Sequence, residues 1–337
     1  MKIDKTLQLP CGVEIKNRFL KSAMTEGIAN SDALSNERHV KLYERWAKGG
    51  TGISITGNVQ IDHRYIERAG NVVIEGTQTN ESLAALANWS QAGKQNNTQL
   101  WMQLSHAGRQ TPFSINKKSV APSVKPMPTL GGVLKFGVPE ELSHTQILDI
   151  IDRFINAAEI AKQTGFTGVQ LHSAHGYLLS EFLSPNINNR TDQWGGSIEN
   201  RSRLLISIID GIRARVGNSF PISIKLNSSD FQKGGFTHEE SIEVAKLLNL
   251  TSLDLLEISG GTYENFAALE IDSFNLKKMK TIKPQRSTVV REAYFLKYAE
   301  EIKKFLSIPL AVTGGFRTID GMNSALNSGA CDVIGLG

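Results

Sequence analysis

The sequence is poor in cysteine and contains no long uninterrupted apolar run. Its 337 residues include only Cys11 and Cys331, near opposite ends of the chain. Two such thiols offer neither a disulfide framework nor a clustered metal site, so we expect a cytoplasmic protein. No apolar stretch reaches the roughly 20 residues of a membrane-spanning helix, and the first residues lack the apolar core of a signal peptide.

The chain also lacks a large excess of charge of either sign. The formal net charge is +4, and the basic residues are scattered rather than concentrated in one run. This pattern does not indicate a nucleic-acid-binding surface, although it suits an anionic ligand. A hydrophobic content of 40% and a charged content of 21% are typical of a soluble globular protein. The length fits one large α/β barrel or two ordinary domains.

Short apolar runs alternate with amphipathic segments along the whole chain. We predict eight strands, over residues 19–23, 53–56, 99–104, 169–171, 222–226, 255–259, 310–313 and 332–335. Between them we predict seven helices, over residues 36–48, 80–96, 145–164, 201–216, 237–250, 293–305 and 319–328. Eight strands that alternate with helices predict a (β/α)₈ TIM barrel. A doubly wound sheet is the alternative, but the Gly-x-Gly-x-x-Gly turn expected there is missing.

The remaining segments complete one predicted domain over residues 1–337. Residues 1–18 contain a turn at Pro10–Gly12 and predict an N-terminal β-hairpin. Residues 107–140 are rich in proline and have no clear period, so we expect an excursion over the barrel mouth. No helix follows the eighth strand in this sequence, so we expect a barrel without its final covering helix. The sequence does not fix the oligomeric state, and a homo-oligomer is one possibility that we keep.

Polar side chains collect where predicted strands end. His172, His175 and Tyr177 follow the fourth strand in a His-x-x-His-x-Tyr pattern, ahead of a long polar loop. A single histidine here would more often be structural, but the pair with a nearby tyrosine favours a catalytic role. Lys225 sits in mid-strand, where side chains alternate, and should point into the barrel. Since the carboxyl ends of barrel strands share one face, we expect these groups to meet.

Other strands end in small or polar residues that suit a phosphorylated ligand. Thr25 and Gln103 lie at the ends of the first and third strands, and Gly57 follows the second. The glycines after or within the last two strands are Gly314, Gly315 and Gly335. Glycine allows backbone N–H groups to approach a phosphate, which barrels of this type bind beside their last two strands.

A zinc site is a competing interpretation of the histidine pair. His172 and His175 could ligate a metal ion, but no third ligand of suitable spacing follows another strand. Lys225 would also repel a cation. We therefore predict no metal site.

The fourth-strand region carries a family resemblance. The stretch HSAHGYLLSEFLSPNINNRTDQWGGSIENRSR closely resembles the signature of the Old Yellow Enzyme family of NADH:flavin oxidoreductases. Supporting stretches are KNRFLKSAMTEG, QLWMQLSHAGRQ, SIKLNSSDF, EISGGTY, REAYF and VTGGFRT. The resemblance runs over nearly the whole chain. It implies a TIM barrel that binds FMN and takes hydride from NADH or NADPH.

The resemblance also implies roles for individual residues. His172 and His175 would bind the oxygen of the substrate, and Tyr177 would donate a proton. The residues implied at the flavin are Ala23, Met24, Thr25, Gly57, Gln103 and Lys225. Those implied at its phosphate are Gly314, Gly315 and Gly335. Thr25 stands where some relatives carry cysteine, and Ser180 and Glu181 replace a commoner pair that ends in glutamine.

The predicted function is therefore an ene-reductase. Hydride would pass from flavin N5 to the activated C=C bond of an enone, with nitro compounds as further substrates, and Tyr177 would supply the proton. The alternatives are a flavin-dependent dehydrogenase or oxidase acting on an amine or a CoA thioester, or a barrel that no longer catalyses.

Overall fold

Eight parallel strands close into a barrel, as predicted. The computed structural model describes residues 1–130, 133–262, 264 and 293–337. Its barrel strands are β3 (Phe19–Lys21), β4 (Ile53–Gln60), β5 (Gln99–Ser105), β8 (Gly168–Ser173), β9 (Ile222–Asn227), β10 (Leu255–Ser259), β11 (Leu310–Thr313) and β12 (Val333–Leu336). The ring closes where β12 pairs with β3.

Helices cover the outside of the barrel. They are α1 (Glu37–Lys48), α2 (Asn80–Gly93), α3 (His144–Gln163), α4 (Leu178–Leu183), α5 (Ile198–Val216), α6 (His238–Leu248), α7 (Leu296–Lys303) and α8 (Ile319–Ser328). Strand side chains alternate between the helices and the interior, and both faces are buried. Among the described residues, no helix combines the length and apolar character that a bilayer crossing requires.

The N-terminal hairpin, β1 (Leu7–Gln8) paired with β2 (Glu14–Ile15), closes the amino-terminal end of the barrel. Its Leu9 and Ile15 join an apolar cluster inside the barrel, which we call the plug. The other fully buried members of the plug are Leu20, Ile53, Ile55, Trp101, Leu255, Ala311 and Val333. Gly12 makes the turn with a φ of +88°, which favours glycine.

Several predicted boundaries were wrong, for identifiable reasons. Strand β4 runs past Gly57 to Gln60, because a β-bulge between Ile55 and Asn58 absorbs the irregularity that glycine suggested. Helix α3 begins at His144 rather than at the predicted residue 145, because Ser143 caps it: the Ser143 side chain accepts from the Gln146 N–H in a capping box.

Other differences concern loops. The excursion over 107–140 contains a two-stranded parallel sheet, β6 (Lys118–Ala121) and β7 (Val138–Glu141), which the sequence did not predict. Residues 131–132 within it lie outside the described residues. So do Tyr263, Arg291 and Glu292 of the resembling stretches EISGGTY and REAYF.

Candidate active site

The carboxyl ends of the barrel strands surround a cavity of about 720 Å³. The predicted site residues that line it are Ala23, Thr25, Gln103, His172, His175, Tyr177 and Lys225. Apolar residues of the 107–140 excursion form its rim, namely Pro112, Ile115, Leu130, Leu134 and Phe136. Its volume is that of a site for a cofactor or a drug-sized ligand. The cavity is therefore polar at its floor and apolar at its entrance.

His172 and His175 form a contacting pair. His172 lies inside β8 rather than after it, and His175 follows in a turn with a φ of +61°. The backbone N–H of His175 donates to Asn227 Oδ1 over 3.2 Å, which helps to hold this uncommon conformation. The Nε2 atom of His172 lies 3.1 Å from Nδ1 of His175. Nε2 of His175 lies 2.8 Å from the hydroxyl of Ser259.

Both imidazoles are neutral at physiological pH. Burial lowers the pKa of His172 well below its usual value, and the charges of His175 and Lys225 lower it further. Burial also lowers the pKa of His175 to about 3, with Lys225 acting in the same direction. A neutral imidazole has one N–H donor and one nitrogen acceptor. The pair therefore handles a ligand through hydrogen bonds rather than through charge.

Tyr177 stands next to a carboxylate that the sequence did not indicate. Its hydroxyl donates to Oε2 of Glu67, and the hydroxyl of Thr25 donates to Oε1 of the same group. The side-chain amide of Asn58 also donates to Glu67. A fourth and longer hydrogen bond comes from Asn71 over 3.4 Å, so Glu67 receives four donors from separate parts of the barrel mouth.

The bulge in β4 places Asn58 at this site. Asn58 Oδ1 lies 2.8 Å from Nδ1 of His172, so Asn58 bridges Glu67 and the histidine pair. Gly57, which precedes it, does not line the cavity, and a Cβ there would lie 2.6 Å from the carbonyl oxygen of Met24 and would also meet Glu26. Only glycine fits there without moving the backbone, so Gly57 supports the bulge.

Lys225 does point into the barrel, and its anionic partner is Glu257. The two charged groups are 3.0 Å apart and both side chains are buried. Glu257 also accepts from Thr313 over 2.6 Å and from Gln170 over 2.7 Å. Burial alone would raise the pKa of Glu257, but Lys225 and these hydrogen bonds hold it below its usual value. Gln103 joins the same network by donating to Gln170 over 2.7 Å.

Five predicted cofactor residues do not line the cavity, namely Met24, Gly57, Gly314, Gly315 and Gly335. Gly314 and Gly315 have φ values of +125° and +81°, which favour glycine. A Cβ on Gly315 would lie 2.9 Å from the ring of Tyr294, so that ring covers the glycine in this structure. At Gly335, a Cβ would lie 2.8 Å from the hydroxyl of Ser22 and would overlap Thr313.

His172 and His175 belong to no group of three candidate metal ligands among the described residues. The one such group there is Asp62, His63 and Glu75. The guanidinium of Arg153 contacts both of its carboxylates, at 3.7 Å and 2.5 Å. The Arg153 side chain therefore already supplies the positive charge that a metal ion would bring to these carboxylates.

Sequence patterns missed Glu67, Asn58, Glu257 and Ser259. Glu257 could have been found, since it is a charged residue inside an otherwise apolar strand, as Lys225 is. Asn58 lies beyond the predicted end of the second strand at residue 56, so the strand pattern gave it no direction. Glu67 lies in an irregular loop after β4, where no periodicity indicates which way a side chain points.

Comparisons with known proteins agree with the geometry. A sequence profile of the NADH:flavin oxidoreductase / NADH oxidase family matches residues 7–337. An NADH-dependent flavin oxidoreductase of Hypocrea jecorina is 35% identical, over 98% of this chain and 84% of its own length. A cinnamate reductase of Clostridium sporogenes is 30% identical over 96% of this chain, which spans about half (49%) of that protein.

A solved structure shows the same architecture. The Old Yellow Enzyme homologue from Zymomonas mobilis superposes with a TM-score of 0.81 at 25% identity. The match covers 100% of this chain and 88% of that structure. The likeness therefore extends over the barrel and the rim together.

Proposed function

The chain belongs to the NADH:flavin oxidoreductase / NADH oxidase family, and from this membership we propose that it reduces activated C=C bonds. The family is FMN-dependent and uses NADH or NADPH, so the chain is an oxidoreductase. The proposed substrates are enones, with nitro compounds as a second class. The observation that carries the proposal is the convergence of His172, His175 and Tyr177 on the cavity that Lys225 lines.

The floor of the cavity suits the polar edge of FMN. The Thr25 hydroxyl, the Gln103 amide and the Lys225 ammonium offer hydrogen bonds from three strands, and Ala23 lines the same space. Gly335 leaves no room for a side chain between Ser22 and Thr313, so packing within the barrel requires glycine there. Bound FMN would supply the hydride, for which the protein has no group of its own. Five further roles at FMN stay predictions, namely those of Met24, Gly57, Gly314, Gly315 and Gly335.

The histidine pair would bind the oxygen of the substrate. Because both imidazoles are neutral, they would hold a carbonyl or nitro oxygen by N–H donation. Such a bond withdraws electrons from the conjugated C=C bond, so the β-carbon becomes a better hydride acceptor. Lys225 would add a fixed positive charge at the cavity floor.

Tyr177 would then protonate the α-carbon as a general acid. Its hydroxyl lines the cavity, and its ring packs against His172 with centroids 4.7 Å apart. The proton donor and the oxygen-binding group therefore lie side by side, as an enone requires. The apolar rim would enclose the hydrocarbon part of such a substrate.

The test is Tyr177→Phe, which removes the donated proton and keeps the ring. We expect reduction of cyclohexenone to slow by roughly 10²–10⁴-fold, the usual contribution of a general acid. Bleaching of FMN by NADH or NADPH should keep its rate, since no protein proton enters that step. Stopped-flow spectrophotometry measures the two half-reactions separately.

Tyr65→Phe is the matched control, because Tyr65 packs against His106 and does not line the cavity. Wild-type rates with enone in Tyr177→Phe would remove Tyr177 from its role. Turnover of an amine or a CoA thioester without turnover of enones would favour the dehydrogenase alternative. Colourless protein that takes up no FMN would favour a barrel without catalysis.

Two further parts of the proposal concern the setting of the enzyme. We place it in the cytoplasm, because Cys11 and Cys331 are both free thiols and NAD(P)H is a cytoplasmic reductant. A homo-oligomer is a prediction that sedimentation or light scattering would decide.

A further inference from the structure

Glu67 controls the hydrogen-bond directions around the histidine pair. A carboxylate can only accept hydrogen bonds, so each of its neighbours must turn a donor toward it. Tyr177 and Thr25 can do so by rotating a hydroxyl. Asn58 can do so only with its amide nitrogen, which faces Glu67.

The orientation of Asn58 fixes the proton on His172. With its nitrogen turned toward Glu67, Asn58 presents its Oδ1 oxygen to Nδ1 of His172, 2.8 Å away. An amide oxygen only accepts, so Nδ1 of His172 must carry the hydrogen. Because the imidazole is neutral, its Nε2 atom is then bare and can only accept.

The same reasoning extends to His175. Bare Nε2 of His172 lies 3.1 Å from Nδ1 of His175, which must therefore donate to it. That leaves Nε2 of His175 as an acceptor, and Ser259 donates its hydroxyl over 2.8 Å. All bonds in the chain from Ser259 through His175, His172 and Asn58 thus point toward Glu67.

We propose that Glu67 is a positioning residue that acts through Asn58 to set the tautomers of both histidines. In the resting protein the two rings then share one N–H, on Nδ1 of His175, so an incoming oxygen has one donor and must take it from Nε2 of His172. The second donor, on Nε2 of His172, arises only when the Asn58 amide turns over. The consequence for substrate binding rests on the proposed function, but the tautomers themselves do not.

The experiment reads the tautomers directly. FMN-loaded protein labelled with ¹⁵N-histidine is studied at neutral pH by two-bond ¹H–¹⁵N correlation, which distinguishes protonated from bare ring nitrogens. Signals are assigned from His172→Asn and His175→Asn proteins. We expect both histidines of the wild type as Nδ1–H tautomers. In Glu67→Gln, the new amide can donate to Asn58, so we expect both histidines to shift together toward the Nε2–H tautomer.

The control is Glu75→Gln, since Glu75 contacts His63 outside the cavity and should leave His172 and His175 unchanged. In an Asn58→Ala background, Glu67→Gln should have no further effect on the tautomers. A wild-type His172 with its hydrogen on Nε2 would overturn the proposal without any variant, as would an unaltered spectrum of Glu67→Gln. Failure of enone reduction would instead overturn the proposed function and leave the tautomer assignment standing.

Discussion

Strand β10 points Leu255, Glu257 and Ser259 toward the barrel interior at successive levels, and the three meet different surroundings. Leu255 belongs to the apolar plug above the N-terminal hairpin. Glu257 sits in the ionic network with Lys225, and Ser259 shares a hydrogen bond with His175 at the cavity. The intervening Leu256 and Ile258 face the helices in the outer core. Because its side chains alternate, one strand contributes both to the apolar plug, which we call the dry end of the barrel, and to the polar cavity at the barrel mouth, which we call the reactive end.

The two ends differ in what a substitution would disturb. In the plug, side chains are held by close packing alone, so a change costs stability and touches no ligand. At the mouth, each polar group is held by a partner on another strand, so a change alters the chemistry of several neighbours. The upper layers of a TIM barrel carry its function for this reason, and the lower layers carry its stability.

Lys225→Met should give the largest loss and tests the reactive end. It removes the cation and leaves Glu257 fully buried with no opposite charge, although the volume is kept. Breaking a buried ion pair in this way costs about 3–5 kcal/mol. Thermal and urea unfolding would measure the free energy of unfolding.

Adding Glu257→Gln to Lys225→Met provides the matching control. The double variant has no unpaired charge. The new side-chain oxygen can still accept from Thr313, whereas Gln170 has to turn its own amide to accept from the new NH2 group. It should recover most of the lost stability while FMN binding stays weak, because Lys225 is still absent. If the double variant is no more stable than Lys225→Met, the unpaired charge of Glu257 is not the cause of the loss, and the ion pair does not distinguish the reactive end from the plug.

Leu255→Ala should give the next largest loss, of about 3 kcal/mol, through the cavity it leaves in the plug. Leu255 is fully buried, whereas Leu250 is 84% exposed, so Leu250→Ala is the control and should change stability little. Folded Leu255→Ala protein should reduce enone at the wild-type rate. Impaired turnover at temperatures where the variant is folded would mean that the plug and the mouth are coupled.

Sequence patterns predicted the dry end of the barrel better than the reactive end. The eight strands and the inward turn of Lys225 follow from short-range alternation, which residue types reveal. The hairpin was predicted from Pro10–Gly12, but its role in closing the barrel depends on contacts far along the chain. A buried strand stays recognisable when its predicted ends are a residue or two off, and so the fold is predictable from pattern.

The site depends on long-range partners that no local pattern encodes. Asn58 reaches His172 because of a bulge, and Glu67 lies in a loop without period. The family resemblance implied His172, His175 and Tyr177, but not the carboxylate and amide that orient them. The covering of Gly315 by Tyr294 likewise brings together residues with no shared motif.

His175→Asn should give the smallest change in stability, and the part of it that comes from titration appears only in acid. The pKa of His175 is about 3 when folded and about 6.5 when unfolded, so between these values the unfolded chain binds a proton that the folded chain does not. The free energy of unfolding therefore falls as pH drops below about 6.5, by up to about 2 kcal/mol at pH 5 from this one group. Asparagine tolerates the φ of +61° and cannot titrate, so the variant should lose less stability than the wild type between pH 7 and pH 5.

Leu255→Ala is the contrast, since the stability it loses relative to the wild type should be the same at both pH values. Parallel pH curves for the wild type and His175→Asn would mean that the reactive end is no more sensitive to acid than the plug.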